Sequence, residues 1–141
     1  MKRLLAALVF LVSCLSGAGN AAELTVYDVY LDPVGEPLAA YQVWIGDEQQ
    51  TAKIIRVEGG EHPAFKEPPF HDTQALQTSV IKLAAFALEP AEKLPKTKTR
   101  IASLHVRSEE GKPPNFTIRL EASAAPGGRK IAANASILQR K

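Results

Sequence analysis

Leu38-Ala-Ala-Tyr-Gln-Val-Trp-Ile45 is the stretch whose reading decides the fold. Ala39, Tyr41, Val43 and Ile45 alternate with Ala40, Gln42 and Trp44. A period of two sends successive side chains to opposite faces of a β-strand. The strand is bounded by turn chemistry: Asp32-Pro-Val-Gly-Glu-Pro37 before it and Gly46-Asp47-Glu48 after it. Outward from it the same alternation of strand and breaker recurs. Leu24–Leu31 is rich in β-branched and aromatic residues. Ala52–Glu58 is a strand stopped by Gly59-Gly60. Val80–Leu88 is nearly all apolar, and its Val-Ile start and closing Glu89-Pro90 favour a strand over a helix. Thr99–Arg107 directs Ala102, Leu104 and Val106 inward, with Ser103 and His105 outward. Phe116, Ile118 and Leu120 alternate with Thr117, Arg119 and Glu121. Ala125-Pro-Gly-Gly128 predicts a hairpin into a last strand over Lys130–Leu138. About seven strands or more, with no amphipathic helix, predict an all-β antiparallel two-sheet sandwich of jelly-roll or immunoglobulin-like type. Val43, Ile55, Leu83, Phe86, Leu104, Ile118 and Leu120 are the expected core.

The N-terminus is different in kind. Lys2 and Arg3 precede an apolar run, Leu4–Val12, that is too short to span a bilayer, and Ser16, Gly17, Ala18 and Gly19 follow. This order predicts a signal peptide over residues 1–21, cleaved after Ala21, and a single domain over 22–141. The expected location is secreted or periplasmic, with no membrane span. Leu11-Val12-Ser13-Cys14 also fits a bacterial lipobox, so a lipid anchor at Cys14 is the alternative. The full chain carries 17 Lys+Arg and 15 Asp+Glu. Removing residues 1–21 takes Lys2, Arg3 and Cys14, leaving 15 bases against 15 acids and no cysteine. A neutral chain has no basic field for nucleic acid, and a domain without disulfides must be held by its core.

The strand sequence resembles a cohesin-type β-sandwich module of bacterial secreted proteins. The likeness lies in Leu38–Ile45, in Ala52-Lys-Ile-Ile-Arg-Val-Glu-Gly-Gly60, in Val80–Leu88, in Arg100-Ile-Ala-Ser-Leu-His-Val106, and in Phe116–Leu120 with Gly127 and Gly128. These are packing patterns, and the loop 59–78 is longer and richer in proline than the pattern. Cohesins bind a small calcium-loaded partner, the dockerin, through a sheet face. The resemblance implies a sandwich fold; no motif in the chain fixes dockerin-contacting residues.

Chemistry concentrates in residues 59–72, GGEHPAFKEPPFHD, where Glu61 adjoins His62 and His71 adjoins Asp72. These four types suit zinc or copper, but their spacing matches no ligand motif and no helix aims them at one point. A loop stiffened by Pro63, Pro68 and Pro69, with Phe65 and Phe70 pinned on the sandwich, is the simpler expectation. Gly59-Gly60 would let the chain leave the strand at angles other residues resist. There is no mature cysteine and no G-x-S-x-G, so no enzyme and no cofactor are predicted. Tyr41 and Trp44 have opposite parity, so one of them faces out; core is the more frequent fate of a sandwich Trp. The candidate ligand-binding residues are therefore Tyr41, Trp44, Glu61, His62, His71 and Asp72. The expected function is a non-catalytic extracytoplasmic binding or structural module for a protein (dockerin-like) or polysaccharide. The alternative is a secreted metal-binding protein using the loop 59–72.

Overall fold

A computed structural model describes residues 21–141, so the signal-peptide and lipobox readings, including Cys14, lie outside the described residues apart from Ala21. Seven strands are present among them: β1 (Ala22–Asp32), β2 (Ala40–Asp47), β3 (Lys53–Gly59), β4 (Val80–Phe86), β5 (Thr99–Glu109), β6 (Phe116–Ala124) and β7 (Asn134–Gln139). They form two antiparallel sheets, one of four strands in the order β3-β5-β1-β7 and one of three in the order β4-β2-β6. The two pack face to face as a β-sandwich. Among the described residues no helix is long and apolar enough to cross a membrane.

The alternation of β2 is realised as read: Tyr41, Val43 and Ile45 are buried, while Ala40, Gln42 and Trp44 are only partly so. Across the interior they meet Val29 and Leu31 from β1, Ile54 and Val57 from β3, and Ala102, Leu104 and Val106 from β5. Ile81 and Leu83 of β4 complete the layer beside β2. A single apolar layer shared by two sheets gives each strand one dry face, which fixes register, because a slip of one residue would expose the whole set.

Several expectations are corrected. Ile55 is half-buried and Ile54 takes the core position, because the β3–β5 register shifts between Ile54 and Arg56. Phe86 is 60% exposed. It shares parity with Lys82 and Ala84, so it faces solvent, and the apolar run concealed the period. Ile118 and Leu120 pack against the core but stay half-buried, as β6 is an edge strand. Ala125–Gly128 does not close a hairpin of sheet partners. Only Ala124 and Lys130 bridge, and the chain then crosses to the other sheet, where β7 pairs with β1. Ser103 points outward yet is fully buried.

Gly59 and Gly60 are needed for space rather than for backbone angle, since neither has a positive φ. A Cβ at Gly59 would overlap the Lys66 carbonyl, and one at Gly60 would overlap that of Arg100. Gly59 thereby lets the loop fold back on the end of β3, and Gly60 holds it tight to the start of β5.

Candidate functional site

The loop is built from local caps. Glu61 accepts from the Arg100 backbone N–H at 2.8 Å, which ties the loop to β5. His62 Nδ1 accepts from the Ala64 N–H at 3.0 Å and caps the short turn Pro63–Phe65. Asp72 does the same for the turn Thr73–Ala75 through the Gln74 N–H. His71 Nδ1 lies 3.0 Å from the Pro69 carbonyl, which can only accept, so that nitrogen carries the proton. His62, His71 and Asp72 serve their own stretch of backbone and Glu61 that of β5, and among the described residues no group of three or more His, Cys, Asp or Glu could hold a metal ion. Replacing His62 and His71 together by Ala should cost about 1 kcal/mol at most, the value of a lost cap. The melting temperature of neither protein should respond to added zinc. A one-to-one zinc complex that the double variant loses would reinstate the metal reading.

Phe65 is buried and meets Tyr41 edge-on at 5.5 Å between centroids. Tyr41 is therefore a core residue and not a ligand-binding one: it is 3% exposed, its hydroxyl has no hydrogen-bond partner among the described residues, and burial pushes that hydroxyl's pKa up. Phe70 behaves differently from the expectation of a pinned ring. Its backbone exchanges two hydrogen bonds with Ala84, at 2.8 and 3.0 Å, adding a one-residue strand outside β4. Paired residues share a face, so the Phe70 ring emerges on the solvent side of the three-stranded sheet. There it stacks on Phe86, centroids 6.2 Å apart and planes 15° from parallel. The two rings are 70% and 60% exposed. A hollow of about 250 Å³ lies beneath them, bordered by Ala64, Phe65, Pro68, Pro69 and Ala85.

The rest of that outer face follows from the register. Trp44 lies between Lys82 and Arg119 on the neighbouring strands. Its indole crosses Gly46, where a Cβ would come within 2.8 Å of ring carbon Cζ2. The Arg119 guanidinium sits over the ring, 4.2 Å from its centroid. Trp44 is thus an outward residue, half-buried by its own sheet and by a cation–π contact, rather than a core one. Next to it Glu121 accepts from Gln42 and pairs with Lys82; those contacts hold its carboxyl below the usual range. Beyond them Ala40, Ala84, Ala122 and Ala124 make a low floor beside the phenylalanines. A groove of about 660 Å³ continues along β6, edged by Gln42, Glu121, Gly128 and Lys130.

The outer face of the other sheet carries a polar network built from residues far apart in the chain. Asp28 accepts from Arg140 through Nε at 3.0 Å and Nη2 at 2.7 Å, and from Ser103 Oγ at 2.7 Å. Arg100 Nη1 donates to Ser103 Oγ and to the Gly59 carbonyl. Burial would raise the Asp28 pKa, but the Arg140 and Ser103 hydrogen bonds outweigh it and the net shift is downward. The arrangement clamps residues after β7 to β1 and β5. It is filled by its own partners, so it is structural.

The aromatic ledge, alanine floor and charged rim on the three-stranded sheet therefore form the surface best suited to a ligand. The chain matches no protein-family model, no curated protein and no solved structure.

Proposed function

We propose that this chain is an exported, non-catalytic binding module that recognises its partner through the outer face of the β4-β2-β6 sheet. One observation carries the reading: two phenylalanines stack side by side on that face while remaining mostly in water. Exposed aromatic area of this kind is stabilised by burial against a partner. A protein partner is favoured over a polysaccharide. The Arg119 guanidinium already occupies the Trp44 ring, so that stacking position is not open to a sugar. A cohesin-like role toward a dockerin-like module is the specific form of the proposal. Export is supported by β1 beginning at Ala22, so that cleavage after Ala21 would leave the strand whole; lipidation at Cys14 would place the same domain on a short tether.

The test is calorimetric titration with calcium-loaded dockerin modules and with a panel of polysaccharides. Wild type should bind a protein partner, and Phe70→Ala/Phe86→Ala should weaken binding at least about 30-fold, the scale of a two-residue aromatic anchor. Its melting temperature should hardly move, because both rings are exposed. Binding of polysaccharide alone would replace the protein partner by a sugar. Binding of neither, or equal binding by the variant, would refute the assignment of this face.

A further inference from the structure

The four sheet edges are not alike. At β3, Thr78 and Gln77 occupy the backbone of Ile54, the register is broken before Arg56, and Lys53, Arg56 and Glu58 add charge. At β4, Phe70 takes the free groups of Ala84. At β6, Lys130 and Ile131 cover Ala124 and Ser123, a register shift interrupts the strand, and Arg119 and Glu121 are charged. These are the devices by which natural sheets prevent pairing with other chains. β7 has none of them. Asn134-Ala-Ser-Ile-Leu-Gln139 has no charge and no proline, and it runs in unbroken register against β1.

The direction of its backbone groups can be derived. The Arg140 N–H donates to the Val26 carbonyl, so even-numbered residues of β7 bond to β1 and odd-numbered ones point away. Ala135, Ile137 and Gln139 therefore present their N–H and C=O groups along the open edge, and among the described residues nothing meets them. Leu138, 55% exposed, stands beside them on the outer face.

We propose that this edge is a self-association site, where β7 of two copies pairs antiparallel about a two-fold axis at Ile137. In that register Ile137 meets its equivalent, and Ala135 meets Gln139 of the second copy. All three residues then exchange both backbone groups, and the two sheets become one of eight strands. A second copy fits because residues 22–141 carry equal numbers of acids and bases, so like molecules are not held apart. The two Arg140 side chains fall at opposite ends of the joint, each opposite an Asn134. Each Leu138 lies across from Ser136 of the other copy. This surface is separate from the aromatic face, so either assignment can fail without the other.

Sedimentation of the purified protein over a concentration series should show a monomer–dimer equilibrium. Gln139→Pro removes one outward N–H and blocks the approaching strand at an exposed position, and a proline is tolerated at a free edge. It should abolish the dimer and leave the melting temperature nearly unchanged. Ser136→Cys/Leu138→Cys tests the register. Those positions would face each other across the joint with Cα atoms about 4.5 Å apart, within disulfide reach. Mild oxidation should give a covalent dimer. A protein that stays monomeric at every concentration, a dimer that survives Gln139→Pro, or a dimer that the cysteine pair fails to cross-link would each overturn the proposal. If Gln139→Pro does not fold, the cysteine pair decides alone.

Discussion

Leu104→Ala is expected to cost about 2–5 kcal/mol of unfolding free energy. Leu104 is fully buried in the middle of β5. It is paired with Tyr27 on one side and Val57 on the other, and its side chain enters the layer between the sheets. Truncation removes apolar contacts on three strands and leaves a cavity that two hydrogen-bonded sheets cannot easily close. The matched control is Leu138→Ala on β7, where the side chain is 55% exposed and a loss within about half a kcal/mol is expected. Urea unfolding of both variants checks the pair. Equal losses would mean that the four-stranded sheet does not face the interior as described.

The legible part of this fold is the part written in short range. The two-residue period of Leu38–Ile45 and of Thr99–Arg107 needs no distant partner, and both strands face the core as their alternation demands. What was lost depended on pairing across the chain. Phe86 looks like core because Val80–Leu88 is apolar apart from Lys82; that one lysine shares its parity and marks the wet face, and the alignment of β4 on β2 bears it out. Phe70 reaches solvent because its backbone meets Ala84, fourteen residues on. Ile55 gave way to Ile54 through a register shift that leaves no mark in composition. The Asp28, Ser103 and Arg140 network joins residues from both ends of the domain.

The candidate site shows the same division. Glu61, His62, His71 and Asp72 drew attention because carboxylates and imidazoles are ligand types, yet each is occupied within its own loop or by the adjoining strand. The cap of Asp72 on Gln74 was visible in principle, since Asp two residues before a free N–H is a common turn start. Parity separates Trp44 from Tyr41 but does not say which of them faces out; the general preference of a sandwich Trp for the core points the wrong way here, and Gly46, two residues on, leaves room for the indole on the outer face.

Asp47→Ala should cost about 3 kcal/mol or more at neutral pH. Asp47 ends β2 with its carboxylate 2% exposed. Oδ1 accepts from the N–H groups of Gln49 and Asn115 at 3.1 and 3.0 Å, and Oδ2 from those of Thr51 and Ala52 at 2.9 Å each. The Thr51 hydroxyl adds a further bond. One side chain thus shapes the turn between β2 and β3 and fastens it to the start of β6. Without it several partly buried donors lose their acceptor, at roughly 1–3 kcal/mol each where water cannot enter. Protonation should reproduce part of this loss. Burial would raise the pKa of this carboxyl, but the backbone N–H donors outweigh it and the folded pKa lies below its ordinary value. The unfolded chain then binds the proton more readily, so the stabilisation is complete above about pH 4, the ordinary aspartate value. It is lost as pH falls through the folded pKa. Asp28 is shifted the same way and adds to the acid loss. In Asp47→Asn the neutral amide presents one oxygen in place of two and points N–H groups at N–H donors. That variant should be less stable than wild type at pH 7 and should lose less on going to pH 3. The Asp28 share of the acid slope should remain. Urea unfolding at the two pH values measures the difference, and parallel slopes for wild type and Asp47→Asn would show that folding does not lower the pKa of this carboxyl.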